Sequence, residues 1–149
     1  MRFWDSSALV PLLVDEAASS LARSLLREDP AIVAWRLAGT EVASALWRRR
    51  RAGEIDEQAR LFAEGGLAAL ERVWTTVEDA AHVDRRARRL LAVHPLRAAD
   101  ALQLAAALVA CDERPHVLAL VTLDDRLAEA ARRDATRAEL ARIRRMAPR

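Results

Sequence analysis

The stretch RFWDSSALV, residues 2–10, decides the fold. Its bulky apolar residues Phe3 and Trp4 predict a short buried strand that ends at Asp5, and the two serines that follow are good N-cap residues for a helix. In an open α/β sheet, functional groups collect outside the carboxyl ends of the strands. Asp5 therefore lies where a site would be built, although the same residue type also serves simply to cap helices.

Apolar runs of strand length alternate with helical patterns along the rest of the chain. This alternation, with continuously apolar strands, predicts a parallel sheet with helices on both faces. The expected fold class is α/β, a three-layer α/β/α sandwich with a short parallel sheet. Residues 1–133 form one domain in this interpretation, and residues 134–149 are an Arg-rich, helical tail of the same domain. The further predicted strands are 31–35, 72–77 and 117–122, and the predicted helices are 7–14, 16–28, one ending near 51, 56–70, 79–93, 97–111 and 124–133.

Composition excludes several classes of enzyme. The 149 residues suit one domain with a substantial core, and 52% of them are hydrophobic. All 24 basic residues are Arg, so the chain lacks the Lys of a P-loop and of Schiff-base chemistry. Its four glycines form no dinucleotide-binding fingerprint, and there is no Gly-x-Ser-x-Gly elbow.

The remaining composition bears on location and partners. A lone cysteine, Cys111, is typical of a protein in a reducing cytoplasm. We expect no membrane association, because no apolar segment is long enough to span a bilayer and the N-terminus lacks a signal-peptide pattern. The pI near 9.8 with a net charge of only +2 weakly favours a polyanionic partner.

Four acidic residues fall at positions where ordinary surface acids are not expected. Asp124 repeats the arrangement of Asp5, since an apolar strand ends there and a helix begins. Glu41 and Asp100 lie on helix faces that are otherwise small or apolar. Of the neighbours Asp124 and Asp125, one would cap the helix and the other face the site, and we prefer Asp124 for the site.

Buried carboxylates must be neutralised, paired with cations or bound to metal, because burying an unpaired charge costs several kcal/mol. Each acid taken alone could be paired with an Arg, and Arg97 lies three residues before Asp100. Four acids at one edge favour a shared cation instead, since like charges at close range oppose ionisation. Carboxylates and hydroxyls without His or Cys select Mg²⁺ or Mn²⁺, which suits hydrolysis of a phosphodiester.

Four sequence blocks together resemble the PIN-domain ribonucleases, and most closely the VapC-type toxins of bacterial toxin–antitoxin pairs. The resemblance runs from Met1 to about Arg133, and the blocks occur in the family's order and spacing. They are Asp5-Ser-Ser-Ala-Leu9, Thr40-Glu-Val-Ala-Ser-Ala-Leu46, Arg97-Ala-Ala-Asp-Ala-Leu-Gln-Leu-Ala105 and Val121-Thr-Leu-Asp-Asp-Arg-Leu127.

The resemblance implies a Mg²⁺- or Mn²⁺-dependent endoribonuclease that acts as the toxin of a type II toxin–antitoxin system. It implies a homodimer silenced by a small antitoxin protein, with RNA as the substrate. A PIN-domain nuclease of RNA processing without an antitoxin and an inactive PIN-like binding module are the alternatives. The implied catalytic and metal-binding quartet is Asp5, Glu41, Asp100 and Asp124, with Ser6 and Thr122 as hydroxyls that orient ligands or water.

Two further expectations concern regions outside this quartet. Relatives often end with one more strand after the Asp124 helix, whereas the tail of this chain reads as helix. Among the Arg-rich segments, residues 48–51 are the best candidates for contacting RNA phosphates, because they end the helix that carries Glu41.

Overall fold

A computed structural model of the chain describes residues 1–136 and 143–145, which form five strands and seven α-helices. The strands are β1 (Arg2–Trp4), β2 (Ile32–Trp35), β3 (Thr75–Val77), β4 (Ala119–Thr122) and β5 (Ile143–Arg145). The helices are α1 (Ser6–Leu13), α2 (Ser19–Glu28), α3 (Ala38–Arg51), α4 (Glu57–Glu71), α5 (Ala80–Leu91), α6 (Ala98–Ala110) and α7 (Asp125–Thr136), and a 3₁₀ turn (Pro115–Val117) precedes β4.

The strands form one parallel sheet in the order β3-β2-β1-β4-β5. The chain extends the sheet from β1 through β2 to β3 and then returns to the other side of β1 with β4. The strand order therefore reverses at β1, and in open α/β sheets such a switch point is where binding crevices form.

Helices cover both faces of the sheet, and alternate strand residues point into two separate cores. Phe3 packs with residues of α5, α6 and α7, whereas its neighbour Trp4 packs with residues of α1 to α4. Both side chains are fully buried. This alternation is the period-2 pattern of a strand buried on both sides, and it confirms the predicted α/β/α sandwich.

The elements predicted within residues 1–133 are all present, with shifted boundaries. The third strand begins at Thr75 rather than at residue 72, because α4 continues to Glu71. The first helix begins at Ser6, so that Asp5 and not a serine occupies the N-cap position. Within the residues that the structure describes, no helix is long and apolar enough to span a membrane.

The Gly65-Gly66 pair does not interrupt α4. A Cβ atom added at Gly66 would lie 2.9 Å from Cδ2 of Leu13 in α1, whereas nothing lies within 4 Å of one added at Gly65. Gly66 thus allows α1 and α4 to approach closely, and this tertiary contact explains a residue that helix propensity alone disfavours.

The C-terminal tail departs from the prediction. Helix α7 continues to Thr136, but residues 143–145 form β5, which pairs in parallel with β4 through Leu120 and Ile143. The helical prediction is therefore wrong at 143–145, and a final strand of the kind that the resemblance implies is present. Pairing with the open edge of β4 satisfies backbone groups that local helix propensity does not take into account. Residues 137–142 and 146–149 lie outside the described part of the chain.

Candidate active site

Asp5 lies at the carboxyl end of β1, at the point where the strand order reverses. Its backbone N–H donates to the Val121 carbonyl (3.0 Å), which ties it to the neighbouring strand β4. The side chain is 4% exposed and makes no capping hydrogen bond to α1. Its Oδ2 instead accepts hydrogen bonds from the hydroxyls of Thr122 (2.8 Å) and Ser7. The structure thus does not support the interpretation of Asp5 as a simple helix cap.

The environment of Asp5 disfavours its ionised form. Burial is the largest cause, and the negative charge of Glu41 adds to it, so that the pKa of Asp5 rises from its ordinary 3.8 to about 6. The hydroxyls of Ser7 and Thr122 lower the pKa but do not offset the burial. A buried carboxyl group whose pKa is raised in this way, at the edge of a sheet, is a candidate functional group.

Glu41 comes from the first turn of α3, on the opposite side of the site from α6. Its Oε2 accepts hydrogen bonds from Ser6 Oγ (2.6 Å) and from Gln103 Nε2 (2.8 Å). Ser6 also contacts Oδ1 of Asp5 at 3.4 Å. These contacts join α1 and α3 of one helical layer to α6 of the other, directly above the end of β1.

Asp100 and Asp124 form the second half of the acidic cluster. Burial raises the pKa of Asp100, and the negative charges of Asp124 and Glu41 raise it further, while Arg97 opposes them. Asp124 also caps α7, because its Oδ1 accepts the Leu127 backbone N–H (2.8 Å). The sequence left the capping role open between Asp124 and Asp125; in the structure Asp124 caps the helix, and its charge also acts on Asp100.

No arginine within residues 1–136 forms a salt bridge with Asp5, Glu41, Asp100 or Asp124. The alternative in which each acid is neutralised by its own arginine therefore finds no support. The donor set consists of oxygens alone, which fits a hard divalent cation. As these side chains lie, however, no three acids, histidines or cysteines of the described residues are arranged to hold a metal ion.

Two cavities meet at Asp100. The larger, about 620 Å³, runs from Asp100 and Glu41 along α3 to Arg48 and Arg49. The smaller, about 270 Å³, is lined by Asp100, Asp124 and Asp125 together with Arg97 and Arg126. The acidic centre is thus open to solvent through two cavities, and arginine side chains line each of them.

Sequence reasoning missed two polar residues of this centre. Ser7 donates to Asp5 and accepts the Leu123 backbone N–H (2.9 Å), so it links the ends of β1 and β4. Gln103 donates to Glu41 from within α6. Gln103 is the single polar residue among the apolar residues 101–110 and lies one turn after Asp100. This position is the signal from which it could have been identified.

Comparison with known proteins places these features in a family. The model of the PIN domain family matches residues 2–133. Ribonuclease VapC45 and ribonuclease VapC49, from two strains of Mycobacterium tuberculosis, are each 37% identical over 110 residues, which covers 74% of this chain and 76% of theirs. The crystal structure of PAE2754 from Pyrobaculum aerophilum superposes with a TM-score of 0.59 at 21% identity, covering 91% of this chain and 95% of that one, and supports the fold.

Proposed function

The chain belongs to the PIN domain family, and from this premise we propose that it is a divalent-metal-dependent endoribonuclease acting as the toxin of a type II toxin–antitoxin system. The observation that carries the proposal is the acidic centre at the end of β1. Asp5, Glu41, Asp100 and Asp124 act on one another electrostatically there, without a salt-bridging arginine among the described residues. Mutual repulsion of this kind is relieved by a bound cation. The relatives named ribonucleases supply the substrate class.

We propose that Asp5, Glu41, Asp100 and Asp124 hold Mg²⁺ or Mn²⁺. Such an ion supplies Lewis acidity, which activates water and stabilises the charge that develops on a phosphodiester. Ser6 and Thr122 orient the carboxylates, because their hydroxyls donate to Glu41 and Asp5 respectively.

The direct test is RNA cleavage by the purified chain with Mg²⁺ or Mn²⁺ and with excess EDTA. We expect cleavage in the first condition and none in the second, because the carboxylates alone provide no Lewis acid. Equal cleavage in EDTA would contradict the proposal. A chain that binds RNA but never cleaves it, with either metal, would favour the alternative of an inactive binding module.

Arg48 is the best-placed residue to bind the substrate. It follows Glu41 by seven positions on α3, or about 10 Å along the helix axis, and both line the larger cavity. Arg49 lines the same cavity but pairs with Glu16, and Arg50 pairs with Glu57 (3.3 Å). Arg48 has no ion pair within residues 1–136. We therefore propose that it binds a phosphate that flanks the scissile one.

Replacing Arg48 by Ala should raise the KM for RNA about tenfold at low salt and leave kcat nearly unchanged. Removing one phosphate contact should also lower the slope of log affinity against log salt by about 1. Arg51→Ala is the matched control, because Arg51 is exposed on the same helix but does not line the cavity. Equal effects of the two substitutions on KM and on the salt slope would show that only overall charge matters.

We also propose a homodimer, a small antitoxin protein as partner, and a cytoplasmic location. The VapC-type relatives support the antitoxin. Phe62 of α4 is 82% exposed, which leaves an apolar side chain available to a partner surface. Expression of the chain together with any small open reading frame found directly upstream of its gene tests the antitoxin: a copurifying protein that blocks cleavage is expected. Full activity in its presence would favour an RNA-processing nuclease instead.

A further inference from the structure

Gln103 is a costly residue for the fold. It is 1% exposed in the middle of α6, where its neighbours Leu104, Ala105 and Ala106 are also buried. Its Oε1 is buried and has no hydrogen-bond partner among the described residues. A buried acceptor without a hydrogen-bond partner destabilises the fold, so an apolar residue of similar size would be more favourable for stability at this position.

The orientation of the Gln103 amide is determined by Glu41. A carboxylate oxygen accepts hydrogen bonds, so the amide must turn its NH₂ group toward Glu41. The observed Nε2–Oε2 distance of 2.8 Å agrees with this orientation. The unpartnered Oε1 is therefore a consequence of the bond to Glu41, and the cost to the fold is linked to the active centre.

The bond fixes one oxygen of Glu41 and leaves the other available. Oε2 accepts from both Ser6 (2.6 Å) and Gln103, whereas Oε1 has no donor within residues 1–136. Two donors from different helices hold the carboxylate group in one rotamer, with Oε1 as its unengaged oxygen. Partners of this kind fix the orientation of groups that bind metal ions.

We propose that Gln103 is a positioning residue that holds the Glu41 carboxylate for metal binding, an inference that rests on the nuclease function proposed above. Gln103 touches neither metal nor substrate in this role. It acts through Glu41, from the helix that also carries Asp100, and so keeps the acids of α3 and α6 in a fixed relation.

The experiment compares Gln103→Met with the wild-type chain in two measurements besides cleavage. Titration with Mn²⁺ alone, followed by calorimetry, should show binding about 10- to 100-fold weaker in the variant. The melting temperature of the metal-free variant should be unchanged or higher, because the unpartnered Oε1 is removed. Gln103→Leu is a second variant should the first not fold, and Gln58→Met, an exposed position on α4, is the matched control.

Each outcome decides the role of Gln103. If both Gln103 variants bind Mn²⁺ with wild-type affinity, the positioning role is overturned. It is also overturned if both variants bind Mn²⁺ more weakly and melt at lower temperatures, because the weaker binding then follows from a destabilised fold. If the wild-type chain binds Mn²⁺ but cleaves no RNA, the nuclease proposal fails while the Mn²⁺ titration still tests the positioning role. A wild-type chain that binds no Mn²⁺ overturns both.

Discussion

Replacing Asp5 by Asn is expected to lower metal-dependent RNA cleavage about a thousandfold or more, without loss of the fold. Asn has nearly the same shape and its amide oxygen still accepts from Ser7 and Thr122, but it removes the negative charge nearest the switch point of the sheet. A metal contributes several kcal/mol to transition-state stabilisation, and each 1.4 kcal/mol or so is a factor of ten in rate. The measurement is the cleavage rate in saturating Mn²⁺.

The matched control for this prediction is Asp84→Asn. Asp84 is an exposed acid of α5 that pairs with Arg88 (3.0 Å) and does not line either cavity at the acidic centre. The Asp84→Asn variant should cleave RNA at the wild-type rate. Wild-type cleavage by Asp5→Asn would refute a role of Asp5 in the chemistry, and a fall in both variants would point to the loss of overall negative charge.

The same Asp5→Asn substitution should stabilise the metal-free protein at neutral pH. The pKa of Asp5 is about 6 in the fold against an ordinary 3.8, so between these values the native state binds more protons than the unfolded state, and stability falls as pH rises. At about 1.4 kcal/mol for each pKa unit, ionised Asp5 costs the fold about 3 kcal/mol above pH 7. This cost decreases as the pH falls from 6 to 3.8 and is absent only below about pH 3.

Denaturant unfolding at pH 4 and at pH 7.5, in EDTA, measures this effect. The free energy of unfolding of Asp5→Asn relative to wild type should increase by about 2–2.5 kcal/mol between the two pH values, because the unfolded state is already partly ionised at pH 4. Saturating Mn²⁺ should stabilise the wild type more than the variant, because only the wild type has the Asp5 carboxylate to offer. If the free energies of unfolding of variant and wild type differ by the same amount at both pH values, burial does not raise the pKa of Asp5.

The sequence predicted the features that depend on short-range patterns. The ends of β1 and β4 were predicted because apolar runs stop abruptly at Asp5 and near Asp124, and strand ends in a parallel sheet share one edge. Glu41 and Asp100 could be placed on helix faces by spacing alone. The electrostatic coupling of these acids in the structure agrees with that placement, while their role in binding metal stays a prediction.

The features that the sequence did not predict depend on contacts between distant segments. Strand β5 forms because the edge of β4 lacks a partner, which no local pattern in residues 134–149 indicates. The hydrogen bond from Gln103 to Glu41 depends on how α6 packs near α3.

The central position of β1 determines when the active centre can first exist during synthesis. The Thr122–Asp5 hydrogen bond (2.8 Å) joins residues 117 positions apart, and β1 acquires its second neighbour only when β4 has been made. Contacts between such distant segments form late in folding, because loop closure precedes them. A nascent chain that has not yet reached Thr122 therefore has no assembled acidic centre, and the centre can form only when translation of the domain is nearly complete.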